Sequence, residues 1–139
     1  MSRLASFSIL MVLLLLVAFQ AQAEEAKKPG VALIGIYNIA PGKHMDFLKW
    51  MAAREEAAKA AGVPATVWYA HTDGGSWDYI AIAPVVSDEQ SKKVDEVSAK
   101  MGLTVGFKAS LEFRQFVSSH TDTYTMGPVS AADLVKAGQ

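Results

Sequence analysis

Cysteine is absent from the 139 residues, which excludes disulfides, thiolate nucleophiles and thiolate metal sites and leaves packing alone to stabilise the fold. A phosphate-binding loop, a dinucleotide glycine fingerprint, a Gly-x-Ser-x-Gly elbow and a His-Glu-x-x-His pair are also missing, which weighs against nucleotide and protease chemistry. Only three histidines occur, His44, His71 and His120, and none stand at helical ligand spacing, so no metal site is expected. The sequence names no cofactor. The longest apolar run, residues 9–19, has about 11 residues, short of the roughly 18 to 20 that span a bilayer.

That run has the layout of a secretory leader. Arg3 supplies the positive start and Ala21-Gln22-Ala23 reads as a small-x-small cleavage site, so residues 1–23 are expected to be a signal peptide. Export to a periplasm or to the outside follows, with no membrane attachment after cleavage. Residues 24–30 are expected to form a disordered mature N-terminus, and residues 31–139 a single domain. The leader carries one of the 13 Lys and Arg and none of the 14 Asp and Glu. The remainder, with 12 basic and 14 acidic residues, gives no electrostatic reason to expect nucleic acid or an anionic membrane as a partner.

Residues 31–39 predict a strand that is apolar on both faces, with Val31, Leu33 and Tyr37 on one and Ala32, Ile34 and Ile36 on the other. Pro41 and Gly42 punctuate. Residues 43–61 predict a long helix with Phe47, Leu48, Met51 and Ala58 on one stripe, stopped by Gly62. Strands are expected over 65–72 and 77–83, joined by the turn signal Asp73-Gly74-Gly75-Ser76. Ser87 with Gln90 opens a second helix, which presents Val94, Val97 and Met101 to the core and ends near Gly102. Residues 107–118 predict a third helix; Leu111, Phe113 and Gln115 also alternate, which leaves a strand as the other assignment. Residues 120–126 predict the fourth strand, and Ser130 with Asp133 a terminal helix through Ala137.

Strand, helix, strand, strand, helix, strand is the order of an α+β, ferredoxin-like βαββαβ sandwich with a four-stranded antiparallel sheet, here with an extra helix before the last strand. The stretch Tyr37-Asn38-Ile39-Ala40-Pro41-Gly42-Lys43, followed by residues 45–47 and the long helix, resembles the first strand and helix of the dimeric α/β barrel superfamily, which includes antibiotic-biosynthesis monooxygenase-like and stress-responsive barrel domains. That resemblance implies pairing into a barrel, binding of a small apolar or aromatic ligand, and cofactor-independent monooxygenase-like or haem-related chemistry. A non-catalytic structural or stress-related dimer is the other function it allows. Pairing also has a physical reason: two helices cover one face of a four-stranded sheet, yet the strands are apolar on both, so a homodimer is expected to bury the second.

The strand directions of such a sandwich gather Tyr37, His44, His71, Asp78, His120 and Asp122 at one end of the sheet. His120 and Asp122, two apart on a strand, share a face, where the carboxylate can orient the imidazole as an acid, a base or a ligand. A four-residue loop over 73–76 would set His71 opposite Asp78; a loop one residue different would oppose it to Trp77 instead. Catalysis is therefore expected of His120, Asp122 and His71, and ligand contact of Tyr37, Trp77, Asp78 and His44. The aromatics Tyr37, Trp68, Tyr69, Trp77, Tyr79 and Tyr124 suit either a pocket for a planar ligand or the core and dimer interface.

Overall fold

A computed structural model describes residues 30–139. The expected leader and charged mature N-terminus lie outside the described residues, save Gly30. The chain forms β1 (Gly30–Ile39), α1 (His44–Ala60), β2 (Val67–Ala70), β3 (Tyr79–Pro84), α2 (Asp88–Lys100), α3 (Gly106–Phe113), β4 (Val117–Gly127) and α4 (Ala131–Ala137). The sheet order is β2-β3-β1-β4, with every neighbouring pair antiparallel. This is the ferredoxin-like α+β sandwich, with α3 as the extra helix before the last strand. Among the described residues no helix is long and apolar enough to cross a membrane.

Local chemistry explains the joints. Lys43 N donates to Ala40 O at 3.0 Å across Pro41 and Gly42, and Gly42 takes φ +75°, a turn that needs glycine at its third position. Both long helices end alike. Gly62 N donates to Lys59 O and Val63 N to Ala58 O; Gly102 N donates to Ala99 O and Leu103 N to Ser98 O. Each is the paired C-terminal closure in which a glycine turns left-handed and its apolar successor returns to the body. Ser87 caps α2 by accepting from Gln90 N, and Ser130 and Asp133 form a reciprocal capping box on α4.

Phe47 of α1 is the largest fully buried side chain among the described residues, and Ile39, Ala57, Ala61 and Ala81 are buried as well. Gln90 Nε2 donates to Ala61 O at 2.7 Å, tying α2 to the end of α1.

Five expectations need correction. The third helix stops at Phe113 and β4 starts at Val117, because Arg114, Gln115 and Phe116 close the helix by N–H bonds to Ser110, Glu112 and Phe113 and free the next residues to pair with β1. The second strand is trimmed to Val67–Ala70 and the third begins at Tyr79; beyond that pair the register continues only through the bond from His71 N to Asp78 O. Met101 is 49% exposed; it sits at the C-cap of α2, past the stripe, and Ser98 is buried in its place.

The helix-free face of the sheet is apolar. The register aligns Tyr69, Ile80, Ile36 and Thr121 in one row and Val67, Ile82, Ile34 and Thr123 in the next. Val67 and Tyr69 are 51% and 54% exposed there. A hollow of about 550 Å³ lies at the edge of this face, lined among others by Ile34, Val67, Tyr69, Ile82 and Thr125.

Candidate functional site

The β1 register puts Tyr37 between Tyr79 and His120, and Gly35 between Ala81 and Asp122. All of these side chains share the face that carries α1. Tyr37 can lie back along the sheet because position 35 has no Cβ; one placed there would come within 2.5 Å of the ring's Cζ. An isolated glycine inside an apolar strand is the sequence signal for such a close approach.

Aromatic rings surround the phenol. Its ring centroid is 5.5 Å from that of Phe47 and 5.8 Å from that of Trp68, while Phe113 of α3 stands edge-on at 6.1 Å. His120 stacks nearly parallel at 6.4 Å, and Phe113 meets the imidazole edge-on at 4.8 Å. His120 Nε2 is 3.4 Å from Asp122 Oδ2, with the two side chains 38% and 46% exposed. A phenol, an imidazole and a carboxylate thus stand in one group at the edge of an aromatic cluster. Burial, helped by the Asp122 charge, pushes the Tyr37 phenol up to about 12, so at neutral pH it is a hydrogen-bond donor and not a phenolate base.

A second group lies at the same end of the sheet. His71 N donates to Asp78 O at 2.9 Å, so the four-residue turn does set these residues opposite each other. The Asp78 carboxylate, however, engages other groups: Oδ2 accepts from Ile39 N at 2.6 Å and Oδ1 lies 3.2 Å from His44 Nε2. The Ile39 N–H and then the His44 bond hold this carboxyl below the usual aspartate range. Asp78 thereby clamps the end of β1 to the start of α1. His71 packs against Trp77 with ring centroids 5.2 Å apart, and its Nε2 is buried without a partner.

The structure therefore brings His120, Asp122 and Tyr37 into one cluster and His44, Asp78, His71 and Trp77 into another beside it. Of the remaining aromatics, Trp68 and Tyr79 belong to the core cluster, Tyr69 lies on the helix-free face, and Tyr124 is 71% exposed. Sequence reasoning missed Phe113, whose place over His120 depends on where α3 ends. It also missed Glu112, which accepts from Trp50 Nε1 at 3.0 Å and from Thr104 Oγ1 at 2.5 Å. Among the described residues no three His, Asp or Glu side chains come together as a metal site would require. A haem does not fit the site as arranged: Nε2 is engaged by Asp122 in His120 and by Asp78 in His44, and in His71 it is buried.

No protein-family model matches the chain, and no curated protein does. Solved structures do match in fold. A protein from Arabidopsis thaliana superposes with a TM-score of 0.51 at 9% identity, over 73% of this chain and 98% of its own. One from Agrobacterium tumefaciens gives 0.50 at 14% identity, over 73% and 96%. A variant of SnoaB, a cofactor-independent oxygenase from Streptomyces nogalater, gives 0.50 at 12% identity, over 73% and 95%. At such identities the likeness is one of fold, and a fold shared by many activities does not carry a function with it.

Proposed function

We propose that this chain is an exported homodimer that binds a small, planar, largely apolar molecule against the Tyr37 and His120 rings and acts on it by proton transfer. One observation carries this: an imidazole with a carboxylate 3.4 Å from Nε2 stands beside a phenol that stays protonated, at the edge of an aromatic cluster. Tyr37 is the hydrogen-bond donor to the polar edge of the ligand, and His120, oriented by Asp122, is the acid or base. Cofactor-independent oxygenation, the activity SnoaB is named for, is compatible with this equipment when dioxygen is the co-substrate and oxidant, since the protein's part is then to remove a substrate proton, which the His120–Asp122 pair can do.

A second function has its own observation. Tyr37, Phe47, Trp68, Tyr79 and Phe113 fill the space between sheet and helices with their own rings, as expected of a structural or stress-related dimer without catalysis. Native mass spectrometry of protein recovered from its export compartment separates the two. Binding predicts a dimer mass with a retained small molecule, and His120→Ala weakens retention with the dimer intact. A clean unliganded dimer, unchanged by that substitution, supports the structural function. The same spectrum reports whether the chain begins at Glu24, as leader cleavage requires.

A further inference from the structure

Helix α3 is held in an unusual way. It has eight residues, too few to be stable alone. None of its residues is fully buried and no side chain caps its N-terminus; Phe107 is 77% exposed. Its approach runs through two glycines at positive φ, Gly102 at +77° and Gly106 at +59°. Its exit is fixed, because Ala40 N donates to Phe116 O at 2.8 Å.

Ring contacts of Phe113 with Phe47 and Trp50, and of Phe116 with Trp50, hold the α3 segment to α1, and polar bonds add to them. Glu112 receives the Trp50 indole and the Thr104 hydroxyl. Arg54 donates to Thr104 O at 2.9 Å and to its Oγ1 at 3.1 Å, stands 3.6 Å from Glu112, and lies over the Trp50 ring at 3.9 Å. One carboxylate thus joins a tryptophan and an arginine of α1 to the segment that carries α3. The residue after it, Phe113, is the one set edge-on against His120.

We infer that Glu112, with Trp50, Arg54 and Thr104, is a latch that holds α3 closed over the Tyr37–His120–Asp122 cluster, and that Glu112 is a positioning residue for His120. The helix turns about the glycines at its entrance while Phe116 stays tied to Ala40, just past β1, so release of Glu112 leaves Phe113 held only by its ring contacts with Tyr37, Phe47 and Trp50 and lets it move off the imidazole. The inference rests on the proposed site for its purpose but not for its test, since opening is measurable with no ligand present.

The test compares wild type with Glu112→Ala by amide hydrogen exchange and by carbethoxylation with diethyl pyrocarbonate. Loss of a charged hydrogen-bonding partner should raise exchange of the α3 amides by about tenfold, with α1 and the sheet unchanged. Modification of His120 should accelerate severalfold, while His44 and His71 in the same chain keep their rates. Glu112→Gln, which can still accept from Trp50 and Thr104, should restore most of the protection. If Glu112→Ala does not fold, Thr104→Val weakens the same latch and gives the same readouts. Unchanged α3 exchange, or a rise spread over all three histidines and the whole domain, would overturn the latch. Failure to find any retained small molecule would count against the proposed function while leaving these readouts intact.

Discussion

Tyr37 and Gly35 are two residues apart on β1, and the phenol of the first occupies the space that a side chain on the second would need. Gly35→Ala should therefore destabilise the fold by about 2 kcal/mol through overpacking. Tyr37→Phe should not rescue it, because the clashing atoms include ring carbons at 2.5 Å and 2.8 Å from the added Cβ. Tyr37→Ala should make the Gly35 substitution nearly neutral. Thermal unfolding of the four proteins as a double-mutant cycle measures this coupling; additive effects would mean that the sheet shifts and the ring does not.

The same phenol makes the fold sensitive to alkali. Its folded-state value of about 12 lies above the ordinary 10.0, so the folded protein holds this proton more tightly than the unfolded chain does. The contribution is complete below pH 10 and is lost as pH rises through about 12. Allowing for solvent screening at a half-buried group, the loss amounts to about 1 to 2 kcal/mol. Ultraviolet titration of the four tyrosines should show one ionising late, and Tyr37→Phe should remove that step and flatten the alkaline stability slope. A titration curve that Tyr37→Phe leaves unchanged at its alkaline end would contradict this.

Asp78 acts at the acid end. Its carboxyl is held below the ordinary 3.8 by the Ile39 N–H first and His44 next, so its contribution is present above that pH and disappears as pH falls through the depressed folded value. Asp78→Asn should lower stability at neutral pH by about 1 kcal/mol, the loss expected for a charge-assisted bond to a backbone N–H. Denaturant midpoints followed from pH 7 downward should converge for wild type and variant as the wild-type carboxyl takes up its proton. Curves that stay parallel to the lowest pH would place the clamp elsewhere.

Features set by local chemistry were legible in the sequence. Gly62 and Gly102 mark both helix ends, Ser87 and Gln90 mark a start, and a four-residue turn over 73–76 opposes His71 to Asp78, although the sequence also allowed a loop one residue different that would oppose His71 to Trp77. The segment around Phe113 was harder, since residues 111–117 carry helical spacing and alternation at once, and only pairing with β1 decides where the helix yields. The true partners of Asp78 were not legible because His44 and Ile39 lie 34 and 39 residues away, and either bond depends on how the α1 entrance meets the third strand. The latch of Glu112 is hidden for the same reason, since Trp50 is 62 residues off.

The helix-free face leads to the last prediction. Phe47 is the largest fully buried side chain on the helix side, a thin core for a sheet whose other face carries Ile34, Ile36, Ile80, Ile82, Val67 and Tyr69 in two aligned rows. Val67 and Tyr69 are more than half exposed there and the isoleucines are partly exposed, and since full burial of an exposed side chain of this kind stabilises by roughly 1.5 to 3 kcal/mol, covering this face is favourable. A second copy supplies an identical apolar surface across a two-fold axis, and the Thr121, Thr123 and Thr125 row at the β4 edge provides a polar rim. Sedimentation at micromolar concentration should show a dimer. Ile80→Asp, at the centre of one row, should yield a monomer with the far-ultraviolet spectrum of the wild type, because the substituted side chain faces away from Phe47 and the helices. A wild-type monomer that binds no hydrophobic dye would mean that this face is covered within one chain, and an Ile80→Asp protein that stays dimeric would move the interface to another surface.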